Sequence, residues 1–326
     1  MAVPPITLSP ITLSPKTLSP KTLSRRSLLA GAAGAAGLVV LAACSSSDDS
    51  GSGEGSDTTG TGSDTTEASA LNLLAIFPPQ GLLVTGSEQR LPFTLADADG
   101  APLDTVPASL DFQVQAADGT SIGDPVAVAR RDKGIPTPYF PLLFEFPAAG
   151  DYQVTTAING EQLEPRVFQV AEPSAVQVPQ PGDPLPPSET PTTADARGVD
   201  PICTRDPDCD LHEVTLTDAL ATDQPVALII ATPEFCQTQI CGPVLDVLLG
   251  QEEAFPDVAM VHAEVYKNPE AVDNIAEADL APIIEAYGLT YEPVLFLARP
   301  DGTIAARLDT IFDESEVAEY LDALTT

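Results

Sequence analysis

Residues 226–250 read VALIIATPEFCQTQICGPVLDVLLG, and residues 287–302 read YGLTYEPVLFLARPDG. The run 226–231 is apolar throughout and of strand length. In an α/β setting such a run is a strand buried on both faces. The residues after it turn into a short helix over 243–249, because proline is favoured at the first helical position. Working outward, 258–265 (VAMVHAEV) reads as a second strand, and 280–287 as a helix closed by Gly288, the usual left-handed cap. Segments 294–298 and 303–308 flank the turn Arg299-Pro300-Asp301-Gly302 as a hairpin. Residues 314–324 form a last helix with Asp313 as N-cap. The order over 200–326 is β-α-β-α-β-β-α.

That order, and the residues themselves, resemble the thioredoxin family. The first matching segment is the buried strand followed by Phe235-Cys236 and a helix with Pro243-Val244-Leu245-Asp246. The second runs from Tyr287-Gly288-Leu289 through Glu292-Pro293-Val294 to Asp301-Gly302, and is similar to the family's segment around its cis-proline. The resemblance spans about 110 residues at the C-terminus and implies an α/β thioredoxin-like domain with thiol–disulfide oxidoreductase chemistry. It implies Cys236 as attacking thiol and Pro293 as the cis-proline beside it. Two departures stand out. Cys236 and Cys241 are separated by four residues instead of two, with Gln239 at the place of the second family cysteine. The strand VALIIA also lacks the family's buried acid, for which Glu234, Glu264 and Glu292 are the nearby candidates.

A disulfide requires Cα atoms about 4.4–6.8 Å apart. Residues five apart in a regular helix are separated by about 8–9 Å. A 236–241 bridge therefore excludes plain helix over 237–240. With the helix beginning at Pro243, both sulfurs lie at its N-terminus, whose positive end favours a thiolate. Cys241 is then the resolving thiol, or, being nearer the helix, exchanges roles with Cys236. Three uses of the pair compete: redox exchange, a bridge that only staples a loop in an oxidising compartment, and metal binding. The metal alternative takes Cys236, Cys241 and His262 and faintly resembles Sco-type copper chaperones. Cys203 and Cys209, brought together by Asp206-Pro207-Asp208, are expected to form a structural disulfide, and with His212 they offer a further ligand set. Zinc spacing of the C-x2-C type is absent.

Upstream, 173–199 holds PQPGDPLPPSETPTT and reads as a semi-rigid, proline-rich linker. Residues 71–172 carry strand-like runs at 71–77, 89–95, 110–116, 125–129, 142–146, 152–158 and 166–170, punctuated by Asp-Gly and Asn-Gly turns. About seven strands in about 100 residues make an all-β sandwich. The segment Phe146-Pro147-Ala148-Ala149-Gly150-Asp151-Tyr152 resembles the tyrosine corner of immunoglobulin-like domains, without their cysteines. The fold class expected is multi-domain, an all-β immunoglobulin-like sandwich followed by an α/β thioredoxin-like domain.

The first 44 residues are of another kind. An imperfect ITLSP/KTLSP repeat precedes Arg25-Arg26, an apolar run 28–43 and Leu41-Ala42-Ala43-Cys44. The run is short for a bilayer span and suits a signal segment. Its end resembles the lipobox of bacterial lipoproteins, and Ser24-Arg25-Arg26 resembles a twin-arginine signal. The resemblance implies cleavage before Cys44, lipidation of its sulfur and a membrane-anchored, extracytoplasmic location. Residues 45–70, rich in Ser, Gly, Thr and Asp, form a flexible tether. The chain carries 14 Lys+Arg against 48 Asp+Glu, net −34, and the signal removes four of those bases and no acid. Such a balance excludes nucleic-acid binding and leaves the lipid as the membrane contact. No cofactor is called for. The partners expected are extracytoplasmic thiol/disulfide proteins, and the alternative to exchange is a non-catalytic surface module with structural disulfides.

Overall fold

The computed structural model describes residues 71–326. The signal segment, Cys44 and the tether 45–70 lie outside the described residues. The N-terminal half contains β1 (Asn72–Ala75), β2 (Leu83–Val84), β3 (Glu88–Ala96), β4 (Ser109–Ala116), β5 (Val126–Ala129), β6 (Phe140–Glu145), β7 (Gly150–Ile158), β8 (Glu161–Gln162) and β9 (Arg166–Ala171). Each of the seven runs read from the sequence becomes a strand. The additions, β2 and β8, are two residues long, too short for any periodicity to register. The strands form one sheet ordered β1-β3-β6 and another ordered β2-β9-β7-β4-β5, with β8 on β7. In β4 the alternation puts Leu110, Phe112 and Val114 inward against Phe93 and Phe140 of the facing sheet, the period-two pattern of a half-buried strand. The Tyr152 hydroxyl donates to the Ala148 carbonyl at 2.7 Å, closing the corner expected of it.

The C-terminal half contains α1 (Leu216–Leu220), β10 (Val226–Ile230), α2 (Cys241–Leu249), β11 (Ala259–Ala263), α3 (Pro282–Tyr287), β12 (Val294–Ala298), β13 (Ile304–Asp309) and α4 (Glu314–Thr325). From β10 onward the element order is the one read from the sequence. The sheet runs β11-β10-β12-β13, with β10 and β11 parallel and the other pairs antiparallel. Every residue of β10 is buried. Ala227 and Ile229 pack with α2 and α4, whereas Val226, Leu228 and Ile230 pack with α1 and α3. Helix α3 ends on Gly288 at φ +63°, where a Cβ would also come within 2.6 Å of the Gln177 side chain. The Asp313 side chain accepts from the Glu316 amide and caps α4.

The proline-rich segment 173–199 is not a free linker. Its few apolar residues, Val178, Leu185 and Val199, are buried in the core on the α3 side of the sheet. Its backbone covers the outer edge of β13: Gly182 donates to Ile304, Ile304 to Asp183, and Leu185 to Gly302. An exposed sheet edge is a template for aggregation, and covering it is one of the standard remedies. Composition alone read this stretch as a spacer because proline content does not reveal where isolated apolar residues dock.

The two halves share a buried polar junction. Arg90 of β3 pairs bidentately with Glu316 of α4 at 2.7 and 2.8 Å and also donates to the carbonyls of Asp309 and Ile311. Both side chains are 4% exposed. Burial works against the Arg90 charge, but the adjacent carboxylate outweighs it and holds the guanidinium above its ordinary range. The Tyr139 hydroxyl donates to Glu316 and accepts from the Asp313 amide. Removing one partner of such a pair strands a buried charge, at a cost of about 3–5 kcal/mol. Arg90→Ala should lower the unfolding free energy by about that amount in urea denaturation, and the joint change Arg90→Met with Glu316→Leu should cost much less.

Candidate functional site

Cys236 and Cys241 form a disulfide with Cα atoms 6.0 Å apart. The loop between them departs from helix as the spacing required. The Gln239 amide donates to the Cys236 carbonyl at 3.2 Å, and Gln239 itself adopts φ +58°. A non-glycine residue in that region costs on the order of 1 kcal/mol and persists where its surroundings demand it. Helix α2 starts at Cys241, two residues before the expected Pro243. Its first amide, that of Cys241, donates to Cys236 Sγ at 3.4 Å, and Thr238 Oγ1 lies 3.3 Å from the same sulfur. These groups and the helix end stabilise negative charge on Cys236. Cys236 is 8% exposed and Cys241 fully buried. The outer sulfur is therefore the one supplied with donors, and the inner one is shielded.

Of the three carboxylates considered, Glu292 meets the inner sulfur. Its Oε2 lies 3.5 Å from Cys241 Sγ and accepts from the Thr232 amide at 2.7 Å. Burial pushes the Glu292 carboxyl up to about 7. Glu264 acts in the same direction through its charge, whereas His262 acts against it. The bond from Glu292 to Pro293 is cis. Glu234 donates its amide to the Thr204 hydroxyl oxygen at 3.3 Å, and its carboxylate is not among the groups gathered with the two sulfurs. Beside the disulfide runs a groove of about 290 Å³, lined by Thr238, Val265, Tyr266, Leu280, Ile284 and Leu289 among others.

A second cluster lies at the same end of β10. The expected Cys203–Cys209 disulfide does not form: the sulfurs are 3.6 Å apart and both are free thiols. His262, taken with Cys236 and Cys241 in the copper-like alternative, belongs instead with Cys203, Cys209 and His212. The reason is topological. Parallel pairing sets His262 opposite Ile229, and the His262 amide donates to the Leu211 carbonyl at 3.0 Å, which lays the 203–212 loop along the β11 edge. The hydrogen bond from Cys209 holds the Cys203 thiol well below the usual range, and the same bond pushes Cys209 up. Thr204, Thr232 and Thr238, which brace both clusters, carry no signal in the sequence that separates them from other threonines.

No protein-family model matches the chain, and no curated protein matches it. Solved structures similar to its parts include a protein assigned as thiol:disulfide interchange protein DsbE from Chlorobium tepidum, at 15% identity over 45% of this chain and 97% of that one, TM-score 0.30. Another is the C-terminal domain of a protein assigned as a thiol-disulfide oxidoreductase from Bacteroides thetaiotaomicron, at 10% identity over 44% and 95%, TM-score 0.30. A third is the filamin domain of Lin-41, at 15% identity over 31% and 92%, TM-score 0.22.

After reduction, Cys236 should alkylate faster than Cys241 by about tenfold or more, since it is the less deeply buried of the two and carries the charge-stabilising donors. Differential isotope labelling followed by peptide mapping reads the ratio, and equal rates would remove the distinction between an outer and an inner thiol.

Proposed function

We propose that the chain is a lipid-anchored, extracytoplasmic thiol–disulfide exchange protein with a thioredoxin-like catalytic half, acting through Cys236 and Cys241. The observation that carries this reading is the arrangement of the bridge. It sits at the start of α2, with amide and hydroxyl donors on the outer sulfur and the Glu292 carboxyl 3.5 Å from the inner one. A bridge that only stapled the loop would need neither. In the reducing direction, the Cys236 thiolate attacks one sulfur of a partner disulfide and releases the other as a thiolate. Glu292 then takes the Cys241 proton. The Cys241 thiolate attacks Cys236 Sγ, the mixed disulfide breaks, and the partner leaves as a dithiol while the 236–241 bridge re-forms. In the oxidising direction each step reverses, and Glu292 returns the proton to Cys241. An extended partner segment fits the groove beside Pro293, whose apolar walls come from Val265, Leu280, Ile284 and Leu289.

The copper-chaperone alternative loses its histidine, because His262 is grouped with the other cysteine pair. The anchoring half of the proposal rests on the basic residues, apolar run and Leu41-Ala42-Ala43-Cys44 box in the sequence. Among the described residues no helix is long and apolar enough to cross a membrane.

The bridge should open and close reversibly in graded glutathione buffers, at a potential well above about −300 mV. Resistance to reduction until the protein unfolds would make it a staple. Cys236→Ser should abolish exchange with a model disulfide. Glu292→Gln should slow single-turnover resolution of the mixed disulfide by about 10²–10⁴-fold. In the wild type that rate should climb as pH rises through about 7, where the Glu292 carboxyl becomes an available base, and the variant should lose this limb of the profile. For the anchor, Cys44→Ala should move the protein from the membrane fraction to the soluble one and abolish incorporation of a labelled fatty acid.

A further inference from the structure

Two thiols and two imidazoles converge in the interior beside, but separate from, the exchange site. Cys203 is 4% exposed, Cys209 9%, His212 1% and His262 0%. One ligand atom from each lies within 4.8 Å of the others. The pairwise distances are informative. The sulfurs are 3.6 Å apart, His262 Nδ1 is 3.4 Å from Cys209 Sγ and 3.8 Å from Cys203 Sγ, and His262 Nδ1 is 3.1 Å from His212 Nε2. Zinc–sulfur bonds of about 2.3 Å and zinc–nitrogen bonds of about 2.0–2.1 Å, arranged tetrahedrally, require edges of about 3.8 Å for S···S, 3.5 Å for S···N and 3.3 Å for N···N. These four of the six edges fall within a few tenths of an ångström of the ideal values, and the remaining two, from His212 to the sulfurs, lie within 4.8 Å.

The surroundings fix which atoms face inward. The His262 Nε2–H donates to the Ala231 carbonyl at 2.9 Å, leaving the Nδ1 lone pair aimed at the cluster, with Glu264 3.9 Å behind the ring. A metal-bound imidazole is held in this manner, its far nitrogen occupied by a carbonyl or carboxylate. His212 makes its one side-chain polar contact within the cluster, and its Nδ1 has no protein partner. Glu264 accepts from the Thr204 amide and hydroxyl, bracing the residue next to Cys203. The His212 carbonyl accepts from Thr193, so the proline-rich segment braces the loop from the other side. Four electron-rich atoms at these separations repel one another unless a cation or protons lie among them.

We propose that Cys203, Cys209, His212 and His262 form a structural zinc(II) site. All four ligands come from the protein and all are buried, which leaves no open position for a substrate. Mixed thiolate and imidazole donors in a tetrahedron select zinc among mononuclear divalent ions. The ion would clamp the 203–212 loop to β11 and so fix the far end of β10, where Thr232 holds Glu292.

The test uses the full chain, purified without chelator and without added metal. Elemental analysis should find about one zinc per chain. Cys203 and Cys209 should resist alkylation until a strong chelator is added, while the Cys236–Cys241 bridge persists. Cobalt(II) added to the stripped protein should give the intense visible absorption of a tetrahedral site with a thiolate charge-transfer band. Cys203→Ser with Cys209→Ser should lose both the zinc and the cobalt spectrum. The cobalt titration of the unaltered chain decides the matter even where that variant fails to fold. A Cys203–Cys209 disulfide in the native protein would overturn the proposal. So would free thiols that take up neither zinc nor cobalt, copper in place of zinc in the chain as purified, or metal that survives loss of both cysteines.

Discussion

Strand β10 has no polar side chain, and this governs what can be built at its end. A strand buried on both faces contributes only backbone groups to its surroundings, so the polar chemistry at its C-terminal tip hangs on Ala231 and Thr232. The Ala231 carbonyl receives His262, the Thr232 amide holds Glu292, and the Thr232 hydroxyl accepts from the Val265 amide. Buried backbone groups seek partners almost without exception. Here the partners include His262 and Glu292, so the apolar strand positions side chains of both clusters without containing any of them.

The same constraint explains where the acid is found. With no carboxylate in the strand, the group beside the inner sulfur comes from the loop preceding β12, as Glu292. Its environment is the one a buried strand end provides: low polarity, one amide donor and no paired cation. The result is a carboxyl near neutrality, suited to giving and taking one proton. Glu264, at the far end of β11, is likewise raised by burial, to about 6, but its hydrogen bonds commit it to Thr204.

Much of this could be read in the residues. VALIIA, the Pro243 helix, Gly288 and the hairpin about Asp301-Gly302 mark their elements through local rules, and Tyr152 marks its corner. The break in helix between Cys236 and Cys241 follows from arithmetic on rise and turn. What could not be read depends on contacts distant in sequence. His262 joins Cys203 across 59 positions through the register of a parallel strand pair, which local pattern does not encode. The Cys203–Cys209 pairing was legible as proximity, but its chemical form depends on imidazoles that arrive from outside the loop. The segment 173–199 was misread because proline-rich composition describes a chain's stiffness and not its destination.

Tyr139 belongs to the sandwich by sequence, yet it is buried with the residues that pack α2 and α4 against their sheet. Tyr291, from the other half, packs against the sandwich core. Each half thus completes the interior of the other, and the strap between them closes an open sheet edge. A recombination event breaking the gene anywhere in 173–199 would pass on neither half with its core closed. A change of shape at Tyr139 or Tyr291 is therefore felt in the core of the opposite half.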